Sequence, residues 1–239
     1  MLKRWTSLGL DLVFPPQCAG CGRIGHHICP ECAQRVIPAP APVCNRCGAP
    51  TPLPNSSRCR ACGGPPAALR LARAAGLHTA PLREFIHQFK YEQRTDLAAP
   101  LACYLVAALQ QPEWRAILPQ IDVIVPVPLH SARRHERGYN QAELLATALS
   151  ERVGIPCRAE LLHRTRATRS QIGLSIDERK ANVEDAFVAS PQCNGLHILL
   201  VDDVYTTGST LTACARAARA AGAPLICGLT LATPQHNQL

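Results

Sequence analysis

Short apolar runs alternate with amphipathic segments along most of the chain. The run His197 to Val201 contains four large aliphatic residues, and Ile121 to Val127 is similarly apolar. Runs of this length and composition are typical of strands buried in a parallel sheet. Further strands are predicted over Leu69 to Leu77, at an edge, and over Ile155 to Leu162 and Leu225 to Leu231. We therefore expect an α/β domain with a mostly parallel sheet of about five strands flanked by helices.

Helices are predicted between these strands. The first should run from Pro81 to about Lys90, because its apolar residues recur at the spacing of one helix face: Leu82, Phe85, Ile86 and Phe89. Lys90 and Tyr91 lie between this helix and the next; they could reach a ligand, but exposed loop positions are the preferred prediction. The other predicted helices cover three ranges: Leu97 to Gln110, Ala142 to Arg152 and Leu211 to Ala221.

Polar residues directly follow the predicted strand His197 to Val201. Asp202 and Asp203 come first, and Thr206 to Thr210 then lead into a helix. Ligands of open α/β sheets bind beyond the carboxyl ends of strands, where the N–H groups of a following helix attract anions. The carboxylates can accept hydrogen bonds from the hydroxyls of a sugar, and the loop can bind its phosphate. The segment therefore predicts a sugar-phosphate site. The alternative is an ordinary strand, turn and helix with a solvated acidic pair.

A basic stretch from Leu129 to Gln141 follows the predicted strand Ile121 to Val127. It carries Arg133, Arg134 and Arg137 and is predicted to be a loop. Guanidinium groups pair bidentately with phosphate oxygens, so this loop is suited to binding a diphosphate. A solvated basic turn is the alternative.

The N-terminal part of the chain is rich in cysteine. Eight of the 13 cysteines form four CxxC pairs: Cys18 and Cys21, Cys29 and Cys32, Cys44 and Cys47, Cys59 and Cys62. Two CxxC turns supply four thiolates to one tetrahedral zinc ion, so four turns predict two structural zinc sites. The sequential grouping places the first two pairs on one ion and the last two on the other, whereas an interleaved grouping also fits the spacing. A redox role is disfavoured because no thioredoxin-like βαβ context surrounds the pairs.

Composition and linkers divide the chain and limit its partners. The Gly-Gly-Pro-Pro stretch at 63–66 predicts a boundary between an N-terminal helix with a double zinc ribbon (1–64) and the α/β domain (65–239). The net charge of +8 favours a polyanionic partner, either nucleic acid or phosphate groups. The apolar N-terminal stretch is interrupted by Asp11 and is too short to span a membrane, so a cytoplasmic protein is expected.

Four blocks follow one another along the chain: the CxxC pairs, VPVPLHSARRHERGYNQAELLA, RSQIGLSIDERKANVEDAF and LLVDDVYTTGSTL. The last block is similar to the binding signature of type I phosphoribosyltransferases, which consists of an apolar strand, two acidic residues and a Thr-Gly-x-Thr loop. Together the blocks resemble the ComF/GntX family of competence-associated phosphoribosyltransferase-like proteins. This resemblance implies a type I phosphoribosyltransferase-like fold behind a double zinc ribbon, and a role in DNA uptake, natural transformation or the use of DNA as a nutrient.

The resemblance also implies a ligand, phosphoribosyl pyrophosphate with Mg²⁺. Its ribose hydroxyls would meet Asp202 and Asp203, the candidate catalytic residues, and its phosphates would meet the loop and the arginines. If the protein is an enzyme, the reaction would be pentosyl transfer. The candidate substrate-binding residues are Val204, Tyr205, Thr206, Thr207, Gly208, Ser209, Thr210, Arg133, Arg134 and Arg137.

A non-catalytic binding module is the second hypothesis. The same fold would then hold single-stranded DNA or a helicase-like competence protein through its basic segments and zinc ribbons, and DNA binding should weaken steeply with salt. A zinc-stabilised scaffold without a ligand is the third, and it leaves the acidic pair and the Thr-Gly loop unexplained.

Overall fold

The computed structural model describes residues 15–39, 44, 68–166 and 185–235. The predicted N-terminal helix, three of the predicted zinc ligands (Cys47, Cys59 and Cys62) and residues 170–182 lie outside this part of the chain. Within it, the helices and strands in chain order are α1 (Pro30–Gln34), β1 (Leu71–Leu77), α2 (Leu82–Tyr91), α3 (Ala98–Leu109), β2 (Val123–Pro126), α4 (Ser131–Arg137), α5 (Gln141–Val153), β3 (Leu162–Arg164), β4 (Phe187–Ala189), β5 (His197–Val204), α6 (Ser209–Ala220) and β6 (Leu225–Thr233). No helix in these ranges is long and apolar enough to cross a membrane.

The main sheet has the strand order β1-β6-β5-β2, and each pair of neighbours is parallel. The predicted α/β class with a parallel sheet is therefore confirmed, but the described residues form four strands in this sheet instead of about five. The predicted strand Ile155 to Leu162 pairs with the main sheet only through an isolated bridge between Cys157 and Ile124, and Leu162 already begins β3. Because Pro156 has no N–H to donate, the ladder does not extend, and the chain continues into β3, which pairs antiparallel with β4.

Both faces of the sheet are covered, as the central strand β5 illustrates. Leu199 and Val201 belong to a core that contains α2, α3 and α5. Ile198 and Leu200 belong to the opposite core, with α6 and the β3–β4 pair. Successive strand residues point to opposite faces, so a strand covered on both sides is apolar at every position.

The helices that follow the neighbouring strands β2 and β5 pack on opposite faces of the sheet. Leu145 and Leu149 of α5 lie in the core of α2 and α3, whereas Leu211 and Cys214 of α6 lie in the other core. Such a divergence opens a crevice at the carboxyl ends of the two strands, which is the usual ligand position in α/β sheets.

Two predicted boundaries are wrong at this crevice. The basic stretch Leu129 to Gln141 is not a loop, because Ser131–Arg137 forms α4, which begins after His130 and ends at Gly138 with φ +83°. Alanine and arginine are good helix formers, and glycine readily adopts the left-handed conformation that ends a helix. Asp202 and Asp203 lie within β5 and not after it, because backbone pairing with β6 continues to Val204.

Candidate functional site

The acidic pair lies near the carboxyl end of β5, and its two side chains point to opposite faces of the sheet. Asp203 faces the helices α2 and α5, where Lys90 and Gln141 contact it. Asp202 lies toward α6, where its negative charge, together with burial, raises the pKa of the Cys214 thiol. A single face of the sheet therefore presents only one of the two carboxylates.

Asp203 forms a buried ion pair with Lys90. The distance from Lys90 Nζ to Asp203 Oδ1 is 2.8 Å, and the two side chains are 19% and 6% exposed. Gln141 Nε2 donates a hydrogen bond of 2.8 Å to the other oxygen, Oδ2. Burial alone would lower the pKa of the Lys90 ammonium, but the charge of Asp203 and its hydrogen bond outweigh burial and raise it. The pair therefore brings a fixed cation and a fixed anion to the crevice.

Asp202 has a different electrostatic environment. Burial raises the pKa of this carboxyl to about 7, and the charge of Asp203 acts in the same direction. Lys90 and the Asp203 N–H, which donates to Asp202 Oδ1 at 2.9 Å, oppose this rise in part. A carboxyl with a pKa near neutrality can take up or release a proton under ordinary conditions, as general acids and bases do.

The predicted phosphate loop connects β5 to α6. Val204 ends the strand, residues 205–208 form the loop, and Ser209 and Thr210 begin the helix. The hydroxyl oxygens of Thr207 and Ser209 lie 2.7 Å apart, and Ser209 N donates to Thr207 Oγ1 at 3.3 Å. The loop therefore presents its hydroxyls beside a helix N-terminus, where backbone N–H groups favour anions.

The three predicted arginines of α4 have different partners. Arg137 Nη1 donates to Gln141 Oε1, and its guanidinium carbon lies 5.1 Å from the centroid of the Tyr91 ring. Arg134 forms an ion pair of 3.2 Å with Glu143. Burial lowers the pKa of the Arg164 guanidinium on β3, and the positive charge of Arg133 lowers it further. Arg137 is thus joined to Asp203 through Gln141, whereas Arg133 is close to Arg164.

A cavity of about 340 Å³ lies beside α4. Arg134 and Glu143 line one wall, and His163 and Arg164 of β3 line another. Its volume is in the range of small-molecule sites. The cavity adjoins the end of β2 at Pro126, and its walls carry both signs of charge.

Three residues of this site were not identified from the sequence: Lys90, Gln141 and Arg164. The prediction that Lys90 is an exposed loop position is wrong, because it lies on α2 and contacts Asp203. A signal was present, since Lys90 follows Ile86 by four residues and so lies on the buried face of the helix. A lysine on such a face needs an anionic partner. Tyr91, the other residue of that prediction, is 56% exposed.

The first two CxxC pairs come together in space. The Sγ atoms of Cys18, Cys21, Cys29 and Cys32 all lie within 4.8 Å of one another, which is the sequential grouping. Cys21 Sγ and Cys29 Sγ are 3.7 Å apart, close to the edge of about 3.8 Å expected of a tetrahedron with Zn–S bonds of about 2.3 Å. The residues present therefore fit a structural zinc ion.

The thiol of Cys18 is prepared for metal binding. Burial raises its pKa, but hydrogen bonds from backbone N–H groups outweigh burial and lower it to about 6. The N–H groups of Gly20 and Cys29 donate to its sulfur at 3.4 and 3.3 Å. Among the predicted ligands of a second zinc ion, Cys44 is the one that the structure describes, and it is buried.

The parallel sheet, the crevice at its carboxyl edge and the cysteine cluster define an α/β protein with an N-terminal zinc ribbon. Residues 9–63 match the family model described as double zinc ribbon domain. The DNA utilization protein YhgH of Salmonella typhi is 36% identical over 184 residues, which cover 77% of this chain and 80% of that protein. Competence protein F of Haemophilus influenzae is 31% identical over 198 residues, which cover 82% and 85%. The chain therefore belongs to the family of YhgH and competence protein F, and the resemblance stated from the sequence is confirmed.

Among solved structures, the glutamine phosphoribosylpyrophosphate (PRPP) amidotransferase from B. subtilis is similar in part. The superposition has a TM-score of 0.40 with 22% sequence identity, and it covers 60% of this chain and 30% of that enzyme.

Proposed function

We propose that the chain binds phosphoribosyl pyrophosphate, or a related ribose phosphate, at the carboxyl edge of its sheet. The observation that carries this proposal is the hydrogen-bond chain from Arg137 through Gln141 to Asp203. It joins the basic helix after β2 to the acidic residues at the end of β5. The acidic pair lies between two elements suited to anions, the loop 206–210 and helix α4. A ligand whose hydroxyls lie between two phosphate groups matches this arrangement.

Each part of the crevice has a role in this proposal. The carboxylates of Asp202 and Asp203 would accept hydrogen bonds from the ribose hydroxyls. The hydroxyls and N–H groups of residues 206–210 would bind the 5-phosphate, and Arg137, with Arg133 and Arg134, would bind the pyrophosphate. Mg²⁺ bound to the pyrophosphate would neutralise the charge of this leaving group if pentosyl transfer takes place.

The names of the relatives support a biological role for this site. They are called DNA utilization protein and competence protein. We propose that this chain likewise serves in DNA uptake or in the use of DNA as a nutrient. The ribose phosphate would then be a substrate or a signal within that process.

The direct test is calorimetric titration with phosphoribosyl pyrophosphate and Mg²⁺, and separately with ribose 5-phosphate. We expect Asp203→Asn and Asp202→Asn each to weaken binding by roughly tenfold or more, because hydrogen bonds to charged groups contribute about 1.5–3 kcal/mol. Asp122→Asn is the matched control, since Asp122 precedes β2 and so lies at the opposite, amino edge of the sheet. Equal affinity in all four proteins would place the ligand elsewhere.

Catalysis is a separate question, to be answered by following pyrophosphate release with a panel of nucleobases and amines. Release that depends on an acceptor, and that is lost in Asp202→Asn, would make the protein a pentosyl transferase. Binding without release would make it a sensor or carrier of the ligand.

A second candidate function is non-catalytic binding of single-stranded DNA or a helicase-like competence protein. One observation favours it: Arg134 and Arg164 line the same cavity, and Arg133 is close enough to influence Arg164. Clustered guanidinium groups suit a phosphate backbone as well as a pyrophosphate.

A further inference from the structure

Lys90 occupies an unusual place for a lysine. It follows Ile86 by one helical turn, on the face of α2 that packs against the sheet, and its side chain is 19% exposed. Burying an ammonium is costly unless an anion compensates it. On this face the anion is Asp203, which belongs to the proposed ligand site.

The carboxylate of Asp203 keeps part of its hydrogen-bonding capacity. Lys90 contacts Oδ1 and Gln141 donates to Oδ2, each at 2.8 Å. An ionised carboxylate offers about four lone-pair sites, so roughly two remain for other donors. With one partner on each oxygen, the carboxylate cannot rotate without breaking an ion pair and a hydrogen bond.

The position of Lys90 is itself held from both sides of α2. The hydroxyl of Tyr139 donates to the carbonyl of Phe89, the residue before Lys90. Gln88, two residues before Lys90, donates a hydrogen bond of 2.9 Å from Nε2 to Ala19 O in the cysteine-rich segment. The backbone around Lys90 is therefore anchored, and the ammonium reaches Asp203 from a fixed base.

The other charged groups near this pair come from three elements. Asp202 precedes Asp203 on β5, and Tyr91 follows Lys90 on α2; both favour the charged ammonium. His78 follows β1, and burial and then the charge of Lys90 lower the pKa of its imidazole. Among these groups, Lys90 is the cation in direct contact with Asp203.

We propose that Lys90 is a positioning residue of the ribose-phosphate site, whose ammonium compensates the charge of Asp203 and fixes the orientation in which its free lone pairs accept the ligand's hydroxyls. This inference rests on the proposed function. It assigns to Lys90 a role in ligand affinity that extends beyond stabilising the fold.

The test compares Lys90→Met, Lys90→Arg and the control Arg83→Met, which removes an exposed charge from the same helix. Ribose 5-phosphate affinity is measured by calorimetry at about pH 6 and about pH 8, with thermal melting of each variant alongside. We expect Lys90→Met to bind roughly tenfold more weakly at the higher pH, since a charged partner is lost. The loss should grow at the lower pH, because the positive charge of Lys90 lowers the pKa of the adjacent Asp202, whose carboxylate takes up a proton more easily without it.

Lys90→Arg should recover most of the affinity, because it restores the positive charge, and Arg83→Met should match the parent. Lys90 lowers the pKa of Asp202 and of His78, so Lys90→Met changes their titration as well, whereas Lys90→Arg keeps the charge that acts on them. The inference is overturned if Lys90→Met binds as tightly as the parent, or if its loss is independent of pH and not recovered by arginine. If the parent itself does not bind ribose 5-phosphate or phosphoribosyl pyrophosphate, the proposed function fails, and the inference fails with it.

Discussion

At the scale of single residues, Gly208 links backbone conformation to the proposed phosphate loop. It precedes α6 with a φ of +73°, a backbone conformation that residues with a Cβ rarely adopt. The ring of Tyr205 also covers this position, and a Cβ on Gly208 would lie 2.5 Å from its Cζ. The backbone conformation therefore favours glycine here, and any other residue would also have to displace the Tyr205 ring.

We expect Gly208→Ala to lower both stability and ligand affinity. Gly154→Ala is the matched control, because Gly154 has the same φ of +73° and no atom within 4 Å of its would-be Cβ. The control should lose about 1 kcal/mol of unfolding free energy from backbone strain alone. Gly208→Ala should lose roughly twice as much, because Tyr205 must also move, and its ribose 5-phosphate affinity should fall by about tenfold. Urea denaturation and calorimetry measure the two effects, and equal costs for both variants would refute the contact with Tyr205.

At the scale of elements, α2 contacts both the cysteine cluster and the proposed ligand site. Its residue Phe85 belongs to the same core as Cys18 and Cys32, and a Cβ on Gly20 would lie only 3.0 Å from the Phe85 ring. The last residues of α2 reach Asp203. Because α2 contacts both regions, disorder at the cysteine cluster should shift α2 and so disturb the contact between Lys90 and Asp203.

Removal of zinc should therefore lower thermal stability and weaken ligand binding. We expect Cys32→Ser to melt roughly 5–10 °C below the parent, since a structural zinc ion contributes several kcal/mol to folding. Cys103→Ser, which changes an exposed cysteine on α3, should melt with the parent. Elemental analysis should find less zinc in Cys32→Ser alone. Unchanged zinc content and melting temperature in that variant would separate the cluster from metal binding.

At the scale of the whole molecule, the net charge of +8 and the arginines around the cavity fit both candidate functions. A protein that neutralises DNA phosphates releases counterions, so its affinity falls steeply as salt rises. A small ligand held by a few directed hydrogen bonds depends less on salt. The salt response therefore discriminates between a nucleic-acid surface and a sugar-phosphate site.

If DNA is the ligand, fluorescence anisotropy with a labelled single-stranded oligonucleotide should give a steep salt slope. Arg133→Ala and Arg134→Ala should each reduce that slope by about 1, because each removes one phosphate contact. Arg115→Ala is the control, an exposed arginine that precedes β2 at the amino edge. A flat response, or no binding near physiological salt, would reject the DNA-binding candidate.

Much of this protein is determined locally, and its sequence by itself was enough for those parts. Runs such as His197 to Val201 predict buried strands, because a strand that is covered on both faces is apolar at nearly every position. The CxxC pairs predict zinc knuckles because two thiolates at that spacing can reach one ion. The class of fold, and the edge of the sheet at which we propose the site, follow from these short-range patterns.

The tertiary structure alone decided which side chains meet. Gln141 and Asp203 are 62 residues apart in the chain, and their contact depends on how α5 packs on β5. The partner of Lys90 was likewise set by the packing of α2, and the opposite orientation of Asp202 and Asp203 by the continuation of β5 to Val204. Local patterns carry no information on these contacts, because a side chain's partner is selected by the packing of distant elements.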